Sequence, residues 1–178
     1  LHASPIRYGF VLDIAPDMKL QLWNAGHILG SSIVHLHIGE GFHNIVFTGD
    51  FKYGKTMLFD PSVSTFPRVE TLIVESTYGA SEDVMPLREE VEGRFVKLLN
   101  ETLDRKGKAL IPTPAIGRAQ EIMMVIDEYM RRKLLREVPV YIEGMINEAT
   151  AIHTAYPEYM ARELRDKILY EDVNPFQS

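Results

Sequence analysis

Apolar residues come in short strand-length runs through the first third of the chain and at helical spacing through the rest. Residues 7–14, 19–24, 32–38 and 44–48 are rich in Val, Ile, Leu and aromatics and are bounded by turn residues, so each predicts a strand. Ala15-Pro16-Asp17 and Gly39-Glu40-Gly41 are turn chemistry, and the second predicts a hairpin between 32–38 and 44–48. Residues 69–75 are almost continuously apolar, which predicts a strand buried on both faces. After Tyr78 the period changes. Pro86 can open a helix, and residues 87–103 repeat apolar side chains at Val91, Phe95, Leu98, Leu99 and Leu103 until Gly107 ends the pattern. Residues 108–112 and 138–142 read as strands, the first of them buried. Residues 117–132, 146–155 and 159–169 read as helices, the first with Ile122, Val125, Ile126 and Tyr129 on its core face. Strands alternating with helices imply parallel βαβ units, so the expected class is α/β: a β-rich lobe over 1–80, then an α/β lobe with parallel strands over 81–178.

The chain has 178 residues, 46% of them hydrophobic and 25% charged, enough to bury a core. A net charge of −6 excludes a global basic field for capturing nucleic acid but leaves room for a local basic patch. The absence of cysteine excludes disulfides and thiolate zinc sites and suits a reducing cytoplasm. No apolar run approaches the roughly 20 residues of a membrane helix, so no membrane partner is expected. No secretory signal opens the sequence, and both ends read as cut from a longer protein.

Candidate chemistry collects at the predicted strand ends. His27 follows a strand and precedes Gly30, where the backbone can turn sharply. Its imidazole suits a borderline metal, and the alternative is a turn histidine bonded to backbone. Asp50 follows Ile45-Val46-Phe47-Thr48-Gly49; a carboxylate there has lone pairs enough to bridge two ions, the alternative being a turn cap. Lys52, Tyr53 and Lys55 lie just beyond and could meet a phosphate, or could be solvated loop charge. Glu75 is acidic at the end of a strand read as buried. It should therefore have a partner, either a histidine that it orients or nearby backbone N–H groups. His35 and His37 share one side of a strand and read as packed or polar-face residues, His43 as a hairpin-loop residue and His153 as a structural helix residue. Pro112 to Glu121 joins a predicted strand to a helix start. There N–H groups at Gly117 and the guanidinium of Arg118 could take a phosphate, or Arg118 could pair with Glu121 or Glu143.

In order along the chain, Asn24-Ala25-Gly26-His27-Ile28-Leu29-Gly30-Ser31, Thr48-Gly49-Asp50-Phe51-Lys52, Val74-Glu75-Ser76-Thr77-Tyr78-Gly79, Ile111-Pro112, Gly117-Arg118-Ala119-Gln120-Glu121 and Glu143-Gly144-Met145 resemble the β-CASP branch of the metallo-β-lactamase superfamily. The nearest likeness is to archaeal relatives of the cleavage and polyadenylation specificity factor nuclease, over nearly the whole chain. The resemblance implies a partial αββα metallo-β-lactamase lobe followed by a partial β-CASP lobe. It implies zinc-dependent hydrolysis of RNA phosphodiesters, endonucleolytic, 5′-exonucleolytic or both, of the mRNA 3′-end processing type. By position, His27 would ligate one zinc, Asp50 would bridge two, Glu75 would hydrogen-bond a catalytic histidine, and Gly117 to Glu121 would line a substrate cleft between lobes. The family's upstream His-x-His-x-Asp-His cluster, its later histidines and the archaeal KH domains have no counterpart here. The expectation is an internal piece of the enzyme with an incomplete zinc site, inactive alone. A non-catalytic RNA- or partner-binding subunit of an RNA-processing complex is the second reading, and a homo-oligomer is compatible with either.

Overall fold

The computed structural model describes residues 4–171 and 173–176. The chain divides into two compact units, Leu1–Thr77 with Tyr159–Arg162, and Tyr78–Glu158 with Glu163–Ser178.

The first unit is a five-stranded sheet in sequence order: β1 (Val11–Ala15), β2 (Met18–Asn24), β3 (Ser32–Ile38), β4 (His43–Phe47) and β5 (Thr71–Ile73). The first four pair antiparallel, and β5 pairs parallel to β4, with Ile45 opposite Thr71 and Phe47 opposite Ile73. The hairpin expected between 32–38 and 44–48 forms, turning through Gly39, Glu40 and Gly41, all at positive φ. His43 is the first residue of β4 rather than a loop residue, and its Nε2 meets Thr71 Oγ1 at 3.0 Å. The first strand starts later than its apolar pattern does, because Gly9 at φ +79° turns the chain before Val11.

Directly paired residues share a face of a sheet, and each strand alternates between faces. One face carries Ile33, His35, Asn44 and Val46, all buried. Ala25, Ile33 and Val46 form its core, with Trp23, Phe51 and Phe66 packed against them. The other face presents two apolar rows, Leu12-Leu20-Leu36-Ile45 and Leu22-Val34-Phe47-Ile73. None of these eight side chains is buried.

The two histidines of β3 are bonded within the unit. His35 Nδ1 accepts from Trp23 Nε1–H at 3.4 Å and its Nε2 lies 3.1 Å from the Arg68 carbonyl, which selects the neutral Nε2–H tautomer. Burial, then the neighbouring His37, lowers the His35 pKa. His37 Nδ1 lies 2.7 Å from Asn44 Oδ1, and Asn44 donates its backbone N–H and its Nδ2 to Glu70 Oε2 at 2.7 and 2.8 Å. Arg68 pairs with the same carboxylate. This chain of bonds ties β3 and β4 to the approach to β5.

The second unit is helical. It contains α1 (Arg88–Asp104), α2 (Arg118–Arg131), α3 (Ile146–Ala155) and α4, whose range is Arg162–Tyr170. Its core is Val96, Ile126 and Leu135, with Phe95, Leu99, Leu103, Ile111, Ile122, Tyr129 and Met130 against it. The helix expected over 159–169 begins late. Pro157–Tyr159 is a 3-10 turn, and the chain at 159–162 belongs to the first unit, where Ala161 N–H donates to the Leu58 carbonyl at 2.7 Å and Tyr8 meets Tyr159 edge-on at 5.9 Å.

Three strand expectations are corrected. Residues 108–112 and 138–142 form no strand, and Leu110 is 92% and Tyr141 90% exposed. A strand needs a hydrogen-bonding neighbour, and neither segment has one among the described residues. The parallel strands expected in the second unit are therefore absent among the described residues, and the one parallel pair lies in the first. Residues 69–75 shorten to Thr71–Ile73, and Leu72, Ile73 and Val74 are exposed instead of buried on both faces. The architecture remains α/β: a mixed sheet and four α-helices. No helix among the described residues is long and apolar enough to cross a membrane.

Candidate functional site

The sheet of the first unit delivers three polar residues from three separate loops. The loop after β2 is closed by side chains on backbone. Asn24 Oδ1 accepts the Gly26 N–H at 2.9 Å, and Ser31 Oγ accepts the N–H groups of His27 and Ile28 at 3.1 and 3.2 Å. Ser31 also takes the Ala25 N–H on its carbonyl at 3.1 Å. These bonds fix the backbone of His27 and leave its ring exposed.

Gly26 is the restricted glycine of this loop. It sits at φ +67°, and a Cβ there would lie 2.8 Å from the Asp60 carbonyl oxygen, 2.8 Å from Ser62 N and 3.0 Å from the Lys52 carbonyl oxygen. Gly30, which the sequence singled out for the turn, also has positive φ, but a Cβ there meets nothing within 4 Å. The segment crossing Gly26 is bonded in place: Lys52 N–H to the Ala25 carbonyl at 2.8 Å, Ser62 N–H to the Lys52 carbonyl at 2.9 Å, Val63 N–H to the Asn24 carbonyl at 3.0 Å.

Asp50 stands past the tip of β4, after Gly49 at φ +53°. Its Oδ2 lies 4.0 Å from His27 Nε2, with side chains 74% and 43% exposed respectively. That gap is too long for a hydrogen bond. Two ligands on one tetrahedral zinc, at bonds of 2.0–2.2 Å, stand about 3.4 Å apart, so small side-chain rotations would seat a shared cation. The donor pair fits part of a zinc site. A catalytic zinc takes three protein ligands, and no group of three or more His, Cys, Asp or Glu is placed to hold a metal among the described residues.

Glu75 follows β5 and is half-buried rather than enclosed. Its Oε2 accepts the Thr77 N–H at 2.8 Å. The hydrogen bonds from Thr77 hold its carboxyl below the usual carboxylate range against the opposing effect of desolvation, with help from the Phe51 backbone and the charge of His27. Of the two alternatives open for Glu75 in the sequence, the backbone N–H partner is present, and His27 acts on the carboxylate through its charge alone. Lys52 is exposed beside this group, its backbone committed to the Ala25 and Ser62 bonds.

In the second unit the 112–121 segment is organised by a side chain the sequence reading passed over. Gln120 is fully buried; its Oε1 accepts the Gly117 N–H at 2.8 Å, and its Nε2 donates to the Ala115 carbonyl at 3.0 Å and to Thr150 Oγ1 at 2.9 Å. The Gly117 N–H expected to meet phosphate is therefore used internally, and the Arg118 N–H donates to the Ile116 carbonyl at 2.9 Å. The binding expectation narrows to the Arg118 guanidinium, which is exposed. Glu121, one of its expected partners, pairs instead with Arg88 at 2.6 Å. His153 is buried, with Nδ1 2.7 Å from the Ala149 carbonyl, a structural arrangement.

Asn24, Ser31, Thr48 and Gln120 were absent from the candidates because each works through main-chain bonds. Asn two residues before a glycine is a legible Asx-turn signal. Gln120, three residues after Gly117 at a helix start, is a legible capping-box signal, and nothing local marks Ser31 or Thr48.

Residues 119–178 match the family described as "Beta-Casp domain". A protein of Cenarchaeum symbiosum described as "Transcription termination factor FttA" is 60% identical over 176 residues, 99% of this chain and 27% of its own length. The protein of that description from Thermococcus kodakarensis is 61% identical over 175 residues, covering 98% and 27%. That from Methanothermobacter thermautotrophicus is 56% identical over 177 residues, covering 99% and 28%. The chain thus spans little more than a quarter of the length of the curated relatives it matches.

Proposed function

We propose that this chain is part of a zinc-dependent hydrolase of RNA phosphodiesters of the β-CASP family of the metallo-β-lactamase superfamily. The observation that carries this is the convergence of His27, Asp50 and Glu75 at one end of a sheet, the first two 4.0 Å apart and the third electrostatically coupled to His27. The relatives' description as transcription termination factors supports RNA as the polymer acted on. Endonucleolytic and 5′-exonucleolytic cleavage are both compatible with the group.

In this reading 1–80 is part of an αββα lobe and 81–178 part of a β-CASP lobe. The bare apolar face of the sheet supports the first assignment: an eight-residue apolar surface is what a second sheet packs against. His27 and Asp50 would hold the metal, Asp50 offering both carboxylate oxygens. Zinc supplies Lewis acidity that brings the pKa of water to roughly 7 and offsets charge on the attacked phosphoryl group. Glu75, held ionised by Thr77, accepts a hydrogen bond from an imidazole and keeps it oriented. Lys52 and the Arg118 guanidinium meet backbone phosphates, Arg118 through paired donors. The described residues supply part of the ligand set, so the isolated chain binds zinc weakly and does not turn over.

The test is Asp50→Ala in the full-length protein, with zinc content and RNA cleavage measured together. Loss of cleavage and of zinc with an unchanged circular dichroism spectrum is expected. Wild-type cleavage in that variant would remove Asp50 from the chemistry.

A further inference from the structure

The parallel pairing of β4 and β5 stops where the site begins, and one buried hydroxyl spans that stop. Thr48 is 6% exposed, and its N–H donates to the Ile73 carbonyl at 3.0 Å, extending the ladder one residue past β4. Its Oγ1–H donates to the Gly49 carbonyl at 2.8 Å, and the same oxygen accepts the Glu75 N–H at 3.2 Å. The hydroxyl has one proton and two lone pairs, so both bonds are made at once. The first fixes the peptide that leads into Asp50, at a glycine with φ +53°, where the backbone alone has a wide choice. The second fixes the main chain of Glu75.

Asp50 needs that control. Its carboxylate is mostly exposed, and its one recorded side-chain partner among the described residues is His27 at 4.0 Å. Packing does not set its direction; the main chain does. We propose that Thr48 is a positioning residue for the hydrolytic site, its hydroxyl locking the Asp50 loop and the Glu75 loop to each other. This rests on the hydrolase reading above and adds to it a residue that touches neither substrate nor metal. Valine at 48 would keep the shape and the Ile73 bond and lose both hydroxyl bonds. Serine would keep all three.

The test uses the full-length protein, with Thr48→Val, Thr48→Ser and an Asp50→Ala control. Supporting residues of this kind typically change metal affinity or activity by roughly ten- to a hundredfold. Thr48→Val should lose that much in kcat per zinc-loaded site and in zinc affinity by chelator competition, with KM for RNA little changed. Thr48→Ser should restore both. A purely structural role would lower the thermal midpoint and leave kcat per loaded site intact, which overturns the proposal, as does wild-type zinc affinity in Thr48→Val. If Thr48→Val fails to fold, Thr48→Cys takes its place, keeping size and most of the shape with a far weaker donor; wild-type kcat there is equally fatal. Full activity in Asp50→Ala would sink the hydrolase reading itself. An inactive Asp50→Ala beside a fully active Thr48→Val would sink this inference alone.

Discussion

Replacing Gly26 by alanine, with Gly30→Ala as its partner, separates two effects that sequence alone merges. Both glycines have positive φ, +67° and +79°. An L-residue in that region costs about 1–2 kcal/mol. At Gly30 nothing lies within 4 Å of the added methyl, so that cost is the whole effect. At Gly26 the methyl meets three backbone atoms at 2.8, 2.8 and 3.0 Å, none able to swing aside as a side-chain tip would. Relief requires the 60–62 segment to move off. That movement breaks the Ser62 N–H bond to the Lys52 carbonyl and the bonds from Asn24 Nδ2 to the Asp60 and Pro61 carbonyls at 3.2 and 3.3 Å. Hydrogen bonds of this kind are worth about 1 kcal/mol each, and more when a buried group is left unpaired. Gly26→Ala should therefore cost about 3–5 kcal/mol in total against about 1–2 for Gly30→Ala.

The assay is urea denaturation of the 178-residue chain followed by the fluorescence of Trp23, the sole tryptophan, which packs on the Ala25, Ile33 and Val46 cluster. With a slope of about 1.5 kcal/mol/M the two midpoints should differ by about 1.3–2 M. Equal midpoint shifts for the two variants would refute the steric argument, leaving φ as the single cause.

Further outcomes follow from other contacts. The Glu70 carboxyl is lowered from the ordinary 4.5 to about 2, first by its hydrogen bond from the Asn44 side chain and also by Arg68. A depressed folded-state pKa gives stability that is complete above the unfolded value and lost as pH falls through the folded one. Acid unfolding of the first unit should thus deepen between pH 4.5 and about 2, and Glu70→Gln should flatten that slope; an identical acid profile in the variant would count against the network. Gln120→Leu leaves the Gly117 N–H, the Ala115 carbonyl and the Thr150 hydroxyl without this partner, and should cost about 3 kcal/mol or more by thermal melting. The bare apolar face and the exposed β5 edge should make the isolated chain self-associate and bind a hydrophobic dye. A strictly monomeric, dye-silent chain in sedimentation across concentration would contradict that exposure.

The elements legible in the sequence are those whose signal is local. Short runs rich in Val, Ile, Leu and aromatics between turn residues placed β2, β3 and β4 to within a residue, and helical spacing placed α1, α2 and α3. What failed depends on partners remote in sequence. The apolar run at 69–75 looked like a strand buried on both faces, but burial of Leu72 and Val74 requires something to lie on them. Residues 108–112 and 138–142 have strand composition and no neighbour to pair with among the described residues. The site reading divides in the same way. Loop chemistry at strand ends pointed to His27, Asp50 and Glu75, whereas the choice of Gly26 over Gly30 turns on where residues 52 and 60–62 run, which no local pattern carries.

The same division separates what holds the site from what would do its chemistry. A ligand has to reach solvent and substrate, so His27 and Asp50 are exposed and contribute little packing. Their positions are set by Asn24, Gly26, Ser31 and Thr48, which act on the main chain. Stability and function should consequently come apart under mutation. Asp50→Ala and His27→Ala remove exposed side chains that pair with each other at 4.0 Å, and surface changes of that sort usually fall within about 0.5 kcal/mol. Ser31→Ala removes the acceptor of two N–H groups and should cost about 1–3 kcal/mol while leaving every proposed ligand in the chain. Denaturation midpoints measured on these three variants decide the matter. If Asp50→Ala destabilises the chain as much as Ser31→Ala does, Asp50 belongs to the scaffold, and its assignment as a ligand has to be abandoned.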